Sequence, residues 1–283
     1  MRWQGERQSG NIEDRRGMRP GGMMIGGGAG LVVVIVALLL GVNPLTLLNQ
    51  VSLSTDSQQQ VSPAAPTAQD DQQKQFVAAV LAETEDVWQE QFQNMGRTYQ
   101  DPTLVLFTDQ VESACGLSSA AVGPFYCPQD GKVYLDLTFF DMLQQRFQAP
   151  GDFAEAYVIA HEVGHHVQDL LGISAKVEAA RERLSEAEYN QLSVRLELQA
   201  DFFAGVWAHH TQRMKKVIEE GDIEEAINAA AAIGDDRLQM QTQGRVMPDA
   251  FTHGTSEQRV RWFRLGYETG DMRRGDTFNA DRL

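Results

Sequence analysis

Basic residues are scarce: 24 Lys and Arg stand against 39 Asp and Glu in 283 residues, a formal net charge of −15. Nucleic-acid binders present basic patches, so this balance argues against a nucleic-acid partner. Cysteine is scarcer still, with only Cys115 and Cys127. Two thiols are too few for a zinc–cysteine cluster and no histidine stands near them, so they either close a short disulfide loop or stay free. No internal repeat is present. Histidine occurs six times, yet three of the six fall within HEVGHHVQ, residues 161–168.

Charge is missing altogether from one long stretch. Met23 to Leu48 contains the run Ile25 to Val42, uncharged and long enough to cross a bilayer as a helix. Its glycines do not read as a phosphate loop, because no strand precedes them and no lysine follows. About two dozen residues come before the run and no A-x-A follows it, which favours an uncleaved membrane anchor over a signal peptide. Arg2, Arg7, Arg15, Arg16 and Arg19 precede it, and no Lys or Arg occurs from Asn43 to Gln73. The positive-inside rule then places residues 1–22 in the cytoplasm, residues 23–48 in the cytoplasmic membrane as a single pass, and the rest outside. A disulfide is permitted in that compartment. Residues 49–73, rich in Ser, Gln, Ala and Pro, cannot bury a core and read as a flexible linker.

The remaining segment, 74–283, has the size of one domain. Apolar spacing predicts a helix from Lys74 to Met95, ending at Gly96. Thr103–Phe107 and Lys132–Leu137 read as strands, bracketed by Asp-Pro and Asp-Gly turns, with the cysteines between them. A helix capped by Asp152 should run to about Leu171 and stop at Gly172. Another should start at the Ser185-Glu-Ala-Glu188 capping box and reach about His210, and two more are expected near 222–233 and 255–268. The fold class is therefore α+β, mostly helical with a small sheet.

On a helix, His161 and His165 lie one turn apart on one side and can grip one ion. Glu162 is rotated about 100° from His161, beside the ion, where a base acting on water belongs. His166 points off this face and reads as structural or surface-exposed. Downstream, Glu197 and Asp201 in RLELQADFFAG form a second i, i+4 pair among Leu196, Leu198, Phe202 and Phe203. Either this is a solvated acidic face, or Glu197 is a third ligand and Asp201 accepts the free N–H of a ligand histidine. His253, in FTHGTSEQRVRWF, is either structural or a donor to a developing oxyanion, with Arg259 as a second donor. His209 and His210 suit a helix C-terminus.

HEVGHHVQ, ELQADFFAG, ACGLSSAAVGPFYCPQDGKVYLDLTFF, FTHGTSEQRVRWF and the opening MRWQGERQSGNIEDRRG together resemble the bacterial putative neutral zinc metallopeptidases. The resemblance implies a zincin-like fold, one zinc ion on His161, His165 and Glu197, and Glu162 as base. The Thr252-His253 segment is also similar to the Thr-His-Pro stretch of prenyl-protease-type membrane metallopeptidases, with Gly254 in place of the proline. The expected activity is that of a membrane-anchored zinc endopeptidase acting on peptide or protein substrates, with Val133 to Leu137 as the edge strand that holds them. The alternatives are a zinc-stabilised module that binds peptides without cutting them, and a hydrolase of a non-peptide amide. The oligomeric state is not encoded in any of these features.

Overall fold

The computed structural model describes residues 1–17, 68–120 and 123–283. The expected membrane span 23–48 and the linker up to residue 67 lie outside the described residues. Among the described residues no helix is long and apolar enough to cross a membrane.

Helix α1 (Ala68–Asn94) leads into strand β2 (Thr103–Phe107), hairpin β3 (Gln110–Ser113) and β4 (Gly116–Ser119), then β5 (Phe125–Cys127) and β6 (Lys132–Asp136). Seven further helices follow: α2 (Thr138–Gln145), α3 (Asp152–Leu170), α4 (Ile173–Ala180), α5 (Glu186–Lys215), α6 (Asp222–Ala232), α7 (Asp235–Gln243) and α8 (Ser256–Thr269). The α+β reading holds, mostly helical with a small sheet. Both expected capping boxes are formed, Ser185 with Glu188 on α5 and Thr255 with Gln258 on α8. Asp152 does not cap α3; Gly151 occupies that position and the Asp152 carboxylate is drawn to the Met1 ammonium instead, 2.6 Å away. Helix α1 begins at Ala68, so the last residues assigned to the linker, 68–73, are helical.

The four-stranded sheet has the order β1-β2-β6-β5, parallel except for β5, and β1 is Ile12–Asp14. This overturns two expectations. The strand containing Val133 to Asp136 lies inside the sheet, between β2 and β5, and the edge beside α3 is β5. Sheet order depends on which chain segments meet, and a strand's own composition does not reveal it. The second correction concerns the N-terminus. Residues 1–17 are part of the domain: Glu13 pairs with Val105, Trp3 packs edge-on against Phe76, and Arg7 reaches Glu85 at 2.9 Å. Arg16 donates to the Asp70 carbonyl at 3.1 Å and Lys74 meets Asp14 at 2.9 Å, so the chain leaves and re-enters the domain at one place. A single crossing by residues 23–48 would put a hydrocarbon layer of about 30 Å between β1 and β2. The separate cytoplasmic segment 1–22 and the single-pass arrangement therefore do not fit this folded domain. Strand β1 escaped sequence reading because Ile-Glu-Asp is three residues long with one apolar side chain.

Helix α3 runs through the middle of the molecule, with α5, α6 and α1 against it, and α5 and α8 pack along most of the latter's length. Most of α3 is buried, including Phe153, Tyr157, Ile159, Val163 and Val167. The α5–α8 crossing is close because both sides carry glycine. A Cβ on Gly205 would fall 2.1 Å from the Phe263 carbonyl oxygen, and one on Gly266 2.1 Å from that of Phe202. Cys115 and Cys127 are joined, tying the β3–β4 hairpin to the edge strand β5.

Candidate metal centre

Gly164 lies between His161 and His165 on α3, where a glycine costs a helix roughly 1 kcal/mol. Packing repays that cost. A Cβ there would stand 3.0 Å from the Ala200 carbonyl oxygen, so the glycine lets α5 approach closely. This approach brings Glu197 and Asp201, one turn apart on α5, to the two histidines.

The ligand atoms of His161, His165 and Glu197 all lie within 4.8 Å of one another. Nε2 of His161 is 3.1 Å from Glu197 Oε2, and Nε2 of His165 is 3.3 Å from Oε1. Each imidazole uses its other nitrogen elsewhere: His161 Nδ1 faces Asp201 Oδ1 at 2.8 Å, and His165 Nδ1 faces Gln168 Oε1 at 2.9 Å. The Gln168 amide is fixed by donation to the Leu196 carbonyl at 2.7 Å, so its oxygen is the atom turned to His165. With both Nδ1–H groups donating, both Nε2 atoms and a carboxylate face one point, where an ion can take the place of protons. Four-coordinate zinc, with bonds of about 2.0–2.1 Å, spaces its ligand atoms roughly 3.3–3.4 Å apart, close to the separations found. Two imidazoles and one carboxylate also leave a fourth position open, so the residues fit a zinc ion.

The electrostatics agree. Burial opposes charge on His161, but the Asp201 charge and its own hydrogen bonds to Asp201 and Glu197 outweigh it and push the imidazole up to about 10. Burial likewise opposes charge on Glu197, and His165 and His161 overcome it, holding the carboxylate well below the usual range. The centre demands positive charge, which a divalent ion supplies in place of protons.

Asp201 is fully buried and fully bonded. Its Oδ1 accepts from Tyr157 Oη at 2.5 Å, His161 Nδ1 at 2.8 Å and Arg259 Nη2 at 2.9 Å, and its Oδ2 from Arg259 Nε at 2.8 Å. Arg259, expected as a second oxyanion donor, is buried and forked onto Asp201 instead. It neutralises the carboxylate that orients His161. Without such a partner the buried Asp201 would be costly.

Glu162 and His253 line the same cleft of about 880 Å³ as the three ligands. No described residue pairs with the Glu162 carboxylate. His253 sits in the turn before α8, with Nδ1 2.9 Å from Thr252 Oγ1 and 3.3 Å from Asp235 Oδ1. Asp235 Oδ2 gathers the backbone N–H groups of Thr252, His253 and Gly254, at 2.7, 2.6 and 3.1 Å. Gly254 has φ +88°, a left-handed conformation that glycine adopts freely. Burial lowers the His253 pKa, yet the Asp235 hydrogen bond and the Glu197 charge outweigh it and raise it.

His166 is off the ligand face, as the helical rotation predicts, but it is buried and not on the surface. Its Nε2–H donates to the Gln100 carbonyl at 2.6 Å, and Nδ1 lies 3.1 Å from Tyr126 Oη. His209 and His210 serve the end of α8, at the Tyr267 and Gly270 carbonyls. Sequence reading did not single out Tyr126, Tyr157, Gln168 or Asp235. Only Gln168 carried a local signal, three residues after His165 and on the same side of the helix.

Fold and centre define a helical α+β protein with a candidate His-His-Glu metal centre lining a cleft. The chain belongs to the putative neutral zinc metallopeptidase family, whose profile matches residues 1–278. It is 50% identical to the uncharacterized protein YpfJ of Escherichia coli (strain K12), over 98% of this chain and 99% of that one. It is 41% identical to the uncharacterized protein Rv2575 of Mycobacterium tuberculosis (strain ATCC 25618 / H37Rv), over 87% and 86%. No solved structure matches it.

Proposed function

We propose that the protein is a zinc-dependent endopeptidase, with one ion per chain on His161, His165 and Glu197 in a zincin-like arrangement. The observation that carries this reading is Glu162, a carboxylate in the cleft one residue from a ligand and without a pairing partner among the described residues. A zinc ion at this site supplies Lewis acidity toward a peptide carbonyl and makes nearby water more acidic. Glu162 takes the proton of the attacking water and returns it to the departing amine nitrogen. His253, its Nδ1 turned to Asp235, offers Nε2 as a hydrogen-bond donor to the carbonyl oxygen as negative charge builds there. Asp201 and Gln168 keep the two ligand rings aimed. Replacing Glu162 by Gln should leave bound zinc, measured by plasma mass spectrometry, unchanged and slow cleavage of an unfolded protein by about 10²–10⁴-fold. Undiminished cleavage would remove Glu162 as the base.

The domain is proposed to lie outside the cytoplasm, a location that the Cys115–Cys127 disulfide favours. Because β1 belongs to the same sheet, the first seventeen residues lie there too. A reporter active only outside the cytoplasm should then be active when fused after Leu283; a silent one would place the domain inside.

A further inference from the structure

A second cavity, of about 580 Å³, has Val177 as the one wall residue it shares with the cleft among the described residues. It lies between the end of α1, the α3–α4 junction, α5 and the chain after α8, and its wall includes Leu171, Ile173, Leu192, Phe203 and Phe278. Leu171, Ile173, Leu192 and Phe278 are only half-buried, so each leaves apolar surface in the cavity. The volume falls within the range of about 300–1,000 Å³ that small-molecule sites occupy.

Four polar side chains reach this wall, and three are already matched. Gln199 is buried; it accepts from Gln168 Nε2 at 3.2 Å and donates to the Gly275 carbonyl at 2.7 Å. Arg273 is forked onto Asp271, Nε at 2.9 Å and Nη2 at 2.7 Å. Asp276 accepts from Asn279 with both oxygens, from the backbone N–H at 3.1 Å and from Nδ2 at 2.7 Å. Lys176 on α4 differs. No described residue pairs with its ammonium, and the positions three and four away along the chain, Gly172, Ile173, Ala179 and Ala180, carry no acid to answer it.

An apolar cavity with one unanswered ammonium on its wall matches a molecule with an alkyl body and a single negative charge. A doubly charged phosphate head would exceed what one lysine neutralises, and a cationic head would find Asp276 already taken. We propose that this cavity is a second ligand site, separate from the metal centre, and that it takes a fatty-acid-type molecule, with the alkyl chain among Leu171, Leu192, Phe203 and Phe278 and the carboxylate on Lys176. Burial of the chain supplies most of the affinity, and the exposed ion pair adds a smaller part and fixes the direction.

The test is photolabelling of the full, zinc-loaded chain with a decanoate that carries a diazirine at the far end of its alkyl chain, mapped by peptide mass spectrometry. Label should fall on the peptides holding Leu192, Phe203 or Phe278. Unlabelled carboxylates should compete about tenfold more tightly for every two methylenes added from hexanoate to decanoate. Decanol and decyltrimethylammonium should compete at least about threefold more weakly than decanoate, and Lys176→Glu should reverse the order of the two charged compounds. Leu192→Trp, which fills the cavity, should remove the label while circular dichroism stays that of the folded domain; the competition series on the natural chain decides the matter even if that variant is unstable. Label on Phe139 or Leu238, or label that disappears when a chelator removes the zinc, would place the carboxylate in the metal cleft and overturn the second site. Equal competition by decanol would leave Lys176 without a role and overturn the anionic ligand.

Discussion

Helix α3 contributes to two clusters of ligating side chains, one at its N-terminus and one further along it. Asp152, Asp222 and Glu225 at its N-terminus bring carboxylate oxygens as close together as His161, His165 and Glu197 bring their ligand atoms. Their electrostatics are opposite. In the first cluster burial, reinforced by neighbouring acids, raises the pKa of Asp152 and Glu225 despite the Met1 ammonium, which meets Asp152 at 2.6 Å and Asp222 at 3.3 Å. In the second, burial is outweighed by imidazoles and a guanidinium, and Glu197 and Asp201 are held low. Crowded carboxylates alone do not make a metal centre. The second cluster differs in having imidazole nitrogens that face the carboxylate and whose other ring N–H groups are already taken by Asp201 and Gln168. The first already holds its cation, the chain's own ammonium.

That contrast can be broken from either side. The largest effect is expected from Glu197→Ala, which leaves two imidazoles facing an apolar gap. Zinc content should fall from one per chain to near zero and cleavage with it, while circular dichroism stays that of the folded domain; full zinc occupancy would remove Glu197 from the ligand set. Asp222→Asn should do the reverse. Taking one partner from a buried ion pair costs about 3 kcal/mol, so the denaturation midpoint should drop while zinc content stays at one. Lost zinc with unchanged stability would mean that the first cluster is the metal site.

Arg259→Lys probes how the second cluster is held. One ammonium cannot fork onto both Asp201 oxygens, so His161 is less firmly oriented. Zinc affinity, measured by competition with a chelator, should weaken about 10–100-fold with the fold intact. Unaltered affinity would reduce Arg259 to a packing residue.

How much of this could be read from the chain alone depends on how local each feature is. His161, Glu162 and His165 share one helix, as do Glu197 and Asp201, so i, i+4 spacing was enough to nominate both pairs. Gly164 was legible as an anomaly, and Ala200 explains it. The partners that complete the centre come from elsewhere. Tyr157 reads as one more apolar position on a buried helix, and Asp235 stands eighteen residues before the histidine it holds, in a segment with no distinguishing pattern. Arg259 was noticed for its proximity to His253 in sequence, while its reach to Asp201 was not legible. Strands β1 and β5 are three residues each, too short for alternation to show, and β5 is flanked by Pro124 and Pro128. The misplaced edge strand and the single-pass topology both follow from those two omissions.

The smallest expected effect lies between the clusters, at Glu155. Burial, with Asp152, Asp141 and Glu225 nearby, pushes its carboxyl up to about 8 from 4.5. The folded state then keeps a proton that the unfolded chain releases, so stability is complete below about pH 4.5 and is lost as pH rises toward 8, levelling off above it. A rise of that size corresponds to about 5 kcal/mol at most, and partial exposure reduces it to roughly 2. Glu155→Gln removes this titration. Its advantage over the natural chain, measured by urea denaturation, should be near zero at pH 4.5 and grow to roughly 2 kcal/mol by pH 8, with zinc content unchanged. An advantage that is constant with pH would show that Glu155 is already ionised and that the N-terminal cluster tolerates another negative charge.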